Sequence, residues 1–218
     1  MAFTLIELLV VISIMGLLAA LILPTMGALK AKATVARTQT ELAQMATAID
    51  AYKAGKGFYP PDNPGNFMVN PLYFELAGTV LTNNGNRYQT LDGTGRLPVK
   101  QVPSTFGISG FLNCSKGGGD ADAPVAASFL KGLNPKQVGE LTAAIDQNTD
   151  IKLLVASVGW PERWPTQPVP GRPGLNPWRY VSTNPTNNPN TYDLWVDIIV
   201  QGKTNRVSNW SDKPQLAH

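Results

Sequence analysis

One cysteine and one histidine in 218 residues close off most of the side-chain chemistry a chain of this length could carry. Cys114 can form no intrachain disulfide, and the ordinary place for such a residue is a buried or half-buried packing position. His218 stands at the end of the sequence, so a His-based triad, a histidine-ligated zinc site or a Cys-His dyad would need it to fold back into a domain. An enzyme is therefore not expected; a carboxylate-only glycosidase is what these absences leave open. Charge is scarce too, at 15% of residues, and 18 basic against 15 acidic groups leave a net charge of only +3 with no basic patch, so no nucleic acid is expected as a partner. The chain has room for one long helix and one modest domain, and its 20 glycines and 18 prolines favour a loop-rich, β-containing one.

No lysine or arginine precedes Lys30, and between Phe3 and Leu23 the run FTLIELLVVISIMGLLAALIL contains a single ionisable side chain, Glu7. Roughly 20 apolar residues suffice to cross a hydrocarbon core as a helix, so a transmembrane helix is expected here. A secretory signal would have a basic start and a shorter apolar stretch. A carboxylate in such a segment needs a counter-charge, an interfacial position or a proton. If Phe3 became the N-terminus, its α-ammonium, in the same chain or a neighbour, would pair with Glu7 and set the register of packed subunits. The cations Lys30, Lys32 and Arg37 that follow the span argue by the positive-inside rule for a cytoplasmic C-terminal side.

The string Ala2-Phe3-Thr4-Leu5-Ile6-Glu7-Leu8-Leu9-Val10-Val11 resembles the prepilin processing site of type IV pilins and type II secretion pseudopilins. The resemblance implies cleavage between Ala2 and Phe3 by a prepilin peptidase and N-methylation of Phe3. It also implies an assembly role for Glu7 and Pro24, and a globular domain outside the cytoplasm, against the positive-inside bias. The family usually has glycine where Ala2 stands, and it carries a basic leader. Pro24 matches a helix-interior proline of the family, and its missing N–H predicts a kink or local melting around Leu21 to Pro24.

Beyond Pro24 an amphipathic pattern resumes, with Val35, Leu42, Met45, Ile49 and Tyr52 on one face and Lys32, Arg37, Glu41 and Asp50 elsewhere. It breaks at Gly55-Lys56-Gly57, giving a helix of about 50 residues counted from Phe3. Thr82 to Asn86 and Gly117 to Asp120 read as turns or loops. Asn134 as N-cap, Pro135, and Gln137 predict a further helix with Val138, Leu141 and Ile145 on one face. Ile151 to Val158 reads as a buried strand. Trp160, Trp164 and Trp178, among prolines, read as cover for a core edge rather than a ligand platform. Tyr192 to Val200 alternates as a strand, turned back at Gln201-Gly202.

A second resemblance lies at the other end. Asn176-Pro177-Trp178-Arg179-Tyr180, Tyr192-Asp193-Leu194-Trp195 and Ser208-Asn209-Trp210, with Tyr59-Pro60 after the long helix, resemble the C-terminal signature of major pseudopilins. That family typically binds calcium in this region through carboxylates and carbonyls. Asp193 and Asp197 are available, but a strand-like run from Val196 to Gln201 replaces the usual Gly-Asp-rich loop. No cofactor and no metal site are therefore assigned, calcium being the one ion the resemblance raises.

Together these readings predict an α+β fold: a long N-terminal helix, its first half membrane-spanning and its second amphipathic, packed on a small antiparallel sheet, pilin-like, with an inserted helix and loops. Residues 1–29 form the processing motif and transmembrane assembly helix, and 30–218 the globular domain. That domain divides into a helix half at 30–54, an insertion at about 78–150 and a C-terminal sheet at about 151–210. The expected function is that of a structural subunit of a type II secretion pseudopilus, polymerising with itself in protein secretion. Its partners would be a prepilin peptidase, an inner-membrane assembly platform, minor pseudopilins and the bacterial inner membrane. The globular domain would lie in the periplasm or in an extracellular filament. The alternatives are a type IV pilin for adhesion, motility or DNA uptake, and a membrane-anchored ligand-binding module.

Overall fold

In the computed structural model residues 4–115, 125–141 and 149–217 are described, the side chains of 19–26 excepted. The chain is α+β. Its first element, α1, is one helix from Leu5 to Lys56, 52 residues or about 78 Å long. Thr4 caps its start and Gly57, at φ 86°, ends it in the left-handed conformation that glycine adopts without steric cost. Lys53 and Lys56 complement the dipole in the last turn. The melting expected around Leu21 to Pro24 is not found: the helical backbone runs through Pro24. Proline deletes one i→i−4 bond, and the turns on either side keep theirs.

In the second half of α1, Thr38, Glu41, Met45, Ala48, Ile49 and Tyr52 form one buried stripe. After the Pro60-Pro61 turn comes α2 (Leu72–Ala77), buried at every position. It is followed by β1 (Thr79–Thr82), β2 (Arg87–Thr90), β3 (Arg96–Pro98), α3 (Val102–Phe106) and β4 (Cys114–Ser115). These strands form a sheet of order β3-β2-β1-β4 in which β4 runs parallel to β1. The turn expected over Thr82 to Asn86 joins β1 to β2, with Asn83, Asn84 and Gly85 at φ 52°, 54° and 81°. Phe74 stacks on Phe111 at 4.9 Å, and Phe106, Leu97 and Tyr88 close around them. The segment read as an insertion thus carries a four-stranded sheet, where a helix and loops were expected.

The helix predicted from Asn134 is a single 3-10 turn, Pro135–Gln137, after which β5 (Val138–Glu140) pairs with β6 (Lys152–Leu154). The cap is real: Asn134 accepts from the Lys136 N–H, and the Gln137 side chain accepts from the Asn134 N–H. The backbone is already extended at Val138, which pairs with Leu154, and Gly139 then lies against the Leu175 and Val155 side chains with no space for a Cβ. Ile145 and Gly117 to Asp120 lie outside the described residues. The buried run at Ile151 does exist, but as the short β6 continued by one bridge from Val155 to Pro177.

The C-terminal sheet has the order β10-β9-β8-β7, all antiparallel: β7 (Arg179–Val181), β8 (Asp193–Val200), β9 (Lys203–Ser208) and β10 (Ser211–Leu216). Gln201 and Gly202, at φ 51° and 73°, make the two-residue turn that pairs Val200 with Lys203. Leu194, Val196 and Ile198 alternate inward, joined by Val207 from β9, and α1 packs against β8 and β9. Among the described residues the architecture is therefore two four-stranded sheets and a two-stranded ribbon, where one small sheet was expected.

Glu75 joins three of these pieces. Its carboxylate is wholly buried and accepts from Tyr52 Oη of α1 at 2.9 Å and from the backbone N–H groups of Leu112 and Asn113 at 2.8 and 3.0 Å. Burial raises its pKa above the ordinary carboxyl value despite those three donors. The folded chain thus holds the Glu75 proton to higher pH than the unfolded chain does. The resulting stability is complete below pH 4.5 and is lost as pH rises through the folded value. Glu75→Gln cannot titrate, and its amide turns N–H groups toward backbone donors, so it should cost about 1–3 kcal/mol. In urea unfolding the gap between wild type and Glu75→Gln should narrow as pH is raised from 4.5 to neutrality; a constant gap would contradict this account.

Candidate functional site

The first half of α1 has no cover from its own chain. From Leu5 to Leu18 every described side chain is exposed, with Leu5 at 82%, Ile6 at 70%, Ile12 at 58% and Leu17 at 65%. The apolar residues lie on all sides of the helix, not along a stripe, so no single domain face could bury them. Fully burying one such side chain is worth about 1.5–3 kcal/mol. This surface demands apolar neighbours all round.

Its tip is built locally. Thr4 and Glu7 form a reciprocal capping box: the Glu7 N–H donates to Thr4 Oγ1 at 3.4 Å, and the Thr4 N–H and Oγ1–H donate to Glu7 Oε2 at 2.9 and 2.6 Å. The Thr-x-x-Glu spacing is a known start signal, and reading Glu7 only as a buried charge overlooked it. Both bonds fall on Oε2. Ala2 and Phe3 lie outside the described residues; Pro24 lies within α1, and its side chain is not described.

The expected transmembrane helix is not supported. Among the described residues no helix is long and apolar enough to cross a membrane.

The second half of α1 is seated by polar bonds as well as by its apolar stripe. Glu41, expected on the solvent side, is buried. It accepts from the Ser157 N–H at 2.9 Å, from the Ser157 hydroxyl, and from Arg37 Nε at 3.2 Å. Gln39 donates to the Asp212 carbonyl in β10, Gln44 donates to the Lys131 carbonyl and accepts from Gln137, and Lys56 donates to the Val125 carbonyl. Tyr192 Oη donates to Asp50 at 3.4 Å. Sequence reasoning missed this seat, since a glutamate one helical turn after Arg37 and next to Thr40 reads as a solvated face.

The other candidates settle into the domain. Trp178 is fully buried and Trp160 nearly so, its Nε1–H donating to the Thr166 carbonyl at 2.8 Å, while Trp164 is half-buried. Cys114 lies half-buried in β4. Asp193 and Asp197 point to opposite demands: Asp193 receives backbone N–H groups of the 186–188 loop, and Asp197 lies between Arg206, at 2.8 Å, and Arg179, at 3.6 Å. Among the described residues no group of three or more His, Cys, Asp or Glu could hold a metal ion.

One comparison bears on this arrangement. Over 63 residues the chain is 38% identical to the type II secretion system core protein G of Escherichia coli K12, a match covering 29% of this chain and 43% of that protein. No family model matches the chain, and no solved structure does. The match supports a pseudopilin-like relationship over part of the length, in keeping with the long helix and antiparallel sheets.

Removing the Glu41 carboxylate strands the Ser157 N–H beneath the helix. Glu41→Ala should lower unfolding free energy by about 1.5–3 kcal/mol, and Ser157→Ala, which removes the hydroxyl alone, by about 0.5–1.5 kcal/mol. Denaturant unfolding of the two variants checks the order; equal losses would mean that the backbone N–H contributes nothing.

Proposed function

We propose that this chain is a structural subunit of a type II secretion pseudopilus, acting by polymerisation rather than catalysis. The observation that carries the reading is the division of α1: one half is bolted to a domain, and the other exposes apolar side chains all round. A bundle of the same segments from neighbouring copies would cover that half. The partial similarity to a secretion-system core protein and the processing-site resemblance around Phe3 point the same way. The subunit is membrane-associated before assembly and carries its domain on the periplasmic side. A prepilin peptidase cuts before Phe3 and methylates it. An inner-membrane platform and minor pseudopilins are the assembly partners.

In this reading Glu7 has two tasks. Oε2 holds the Thr4 cap, and the remaining oxygen, Oε1, meets the terminal ammonium of a neighbouring copy. The cap uses the Thr4 amide and hydroxyl, so cleavage before Phe3 leaves it intact. Protein recovered from filaments should begin at Phe3 and carry one methyl group on its amine by intact-mass analysis; assembled protein retaining Met1 would refute the processing step.

Two substitutions separate the tasks. Glu7→Gln preserves an acceptor for Thr4 but removes the charge, whereas Glu7→Ala removes both. Leaving an ammonium unpaired in an apolar bundle costs enough to cut sheared-filament yield about tenfold or more in each variant. Electron microscopy reads the yield, with immunoblots of membranes as the loading control. Normal filaments from Glu7→Gln alongside a loss in Glu7→Ala would assign Glu7 to the cap and end the charge-pairing account.

A further inference from the structure

The resemblance to major pseudopilins brings calcium to the C-terminal region, and the carboxylates there do not fit it. Calcium takes six to eight oxygen ligands at about 2.3–2.6 Å. Two buried aspartates flank the loop between β7 and β8, Asp62 from the segment after α1 and Asp193 at the start of β8, and each is surrounded by hydrogen-bond donors instead. At the near end Asp62 Oδ2 accepts from the N–H groups of Ser182 and Thr183 at 2.9 and 3.0 Å, and its Oδ1 accepts from Thr183 Oγ1 at 2.6 Å. At the far end Asp193 Oδ2 accepts from the N–H groups of Thr186 and Asn187 at 2.9 Å each and from Asn187 Nδ2 at 3.0 Å, while Oδ1 accepts from the Asn188 N–H at 2.9 Å. The third carboxylate, Asp197, forms a forked pair with Arg206 at 2.8 and 3.1 Å and faces Arg179.

We infer that this loop is held by two anionic plugs, Asp62 and Asp193, each seated in a concavity of consecutive backbone N–H groups, and that its fold does not draw on calcium. Consecutive N–H groups turned toward one point are a receptor for an anion and repel a cation. A calcium ion at Asp193 would have to displace four donors and would then face their protons. At Asp197 it would displace two guanidinium contacts and add to their positive charge. Two carbonyls of the loop are also engaged: the Asn188 Nδ2 donates to the Tyr192 carbonyl, and Thr191 Oγ1 donates to that of Asn188. The loop is closed by the side of the chain that a metal would otherwise supply, a negative charge replacing the positive one and amides replacing oxygens.

The inference borrows from the pseudopilus reading only the reason to ask about calcium, so the test is made where filament formation plays no part. Full-length chain in detergent is melted in excess EDTA and in millimolar calcium chloride, and the loop is probed by limited proteolysis under both conditions. Wild type should melt at the same temperature in each and show no calcium uptake by titration calorimetry. Asp193→Asn and Asp62→Asn should raise the rate of cleavage between 182 and 192 by roughly tenfold, unchanged by calcium. Asn187→Ala, which removes one side-chain donor and leaves the plug, should raise it less, and it serves if the aspartate variants fail to fold. A wild-type melting temperature raised by calcium, or loop cleavage in Asp193→Asn no faster than in wild type, overturns the inference.

Discussion

The length of α1 against the size of the domain is the constraint from which the other features follow. A helix of 52 residues extends about 78 Å, and the sheet it packs on, with strands of at most eight residues, reaches only part of that way. One half of the helix must therefore find its surroundings elsewhere. That half is apolar on every side, and the covered half has a single apolar stripe interrupted by Thr38 and Glu41. The change in pattern along one unbroken helix marks where intrachain packing ends.

With no disulfide available, joints between segments fall to carboxylates. Glu75 ties α1 and α2 to the approach of β4, Glu41 ties α1 to the chain after β6, and Asp62 and Asp193 close the loop ahead of β8. Each accepts backbone N–H groups that would otherwise be unsatisfied, so each meets a cost that burial of loops incurs anyway. A chain with 15 acidic residues commits at least these four to the interior, as joints rather than as surface charge.

Much of the fold was legible where one local signal met one clear periodicity. The stop at Gly57, the inward alternation of Leu194, Val196 and Ile198 and the Gln201-Gly202 turn all follow from residue types acting over a few positions. Legibility failed where distant packing decides. At Asn134 the cap signal was sound, yet extended backbone begins at Val138, where the chain pairs with β6, a partner distant in sequence. The first sheet has strands of two to four residues among glycine and asparagine, too short for alternation to show. In β10, Pro214 and four charged or polar neighbours argue against a strand, and only its place at the sheet edge, with an irregular register, accommodates them. At the candidate site, Glu7 was found by its charge, its bond to Thr4 was readable in the Thr-x-x-Glu spacing but overlooked, and the burial of Glu41 needed coordinates.

The polar seat of α1 has a mechanical meaning. Gln39, Glu41, Gln44, Asp50 and Lys56 fasten the helix to the domain at intervals along one rigid rod. A pull on the exposed end travels along the axis and loads these attachments together, as rivets along a spar share a tension, instead of peeling them one after another. The domain would then follow the helix as a single load, and the attachments would yield only as a group.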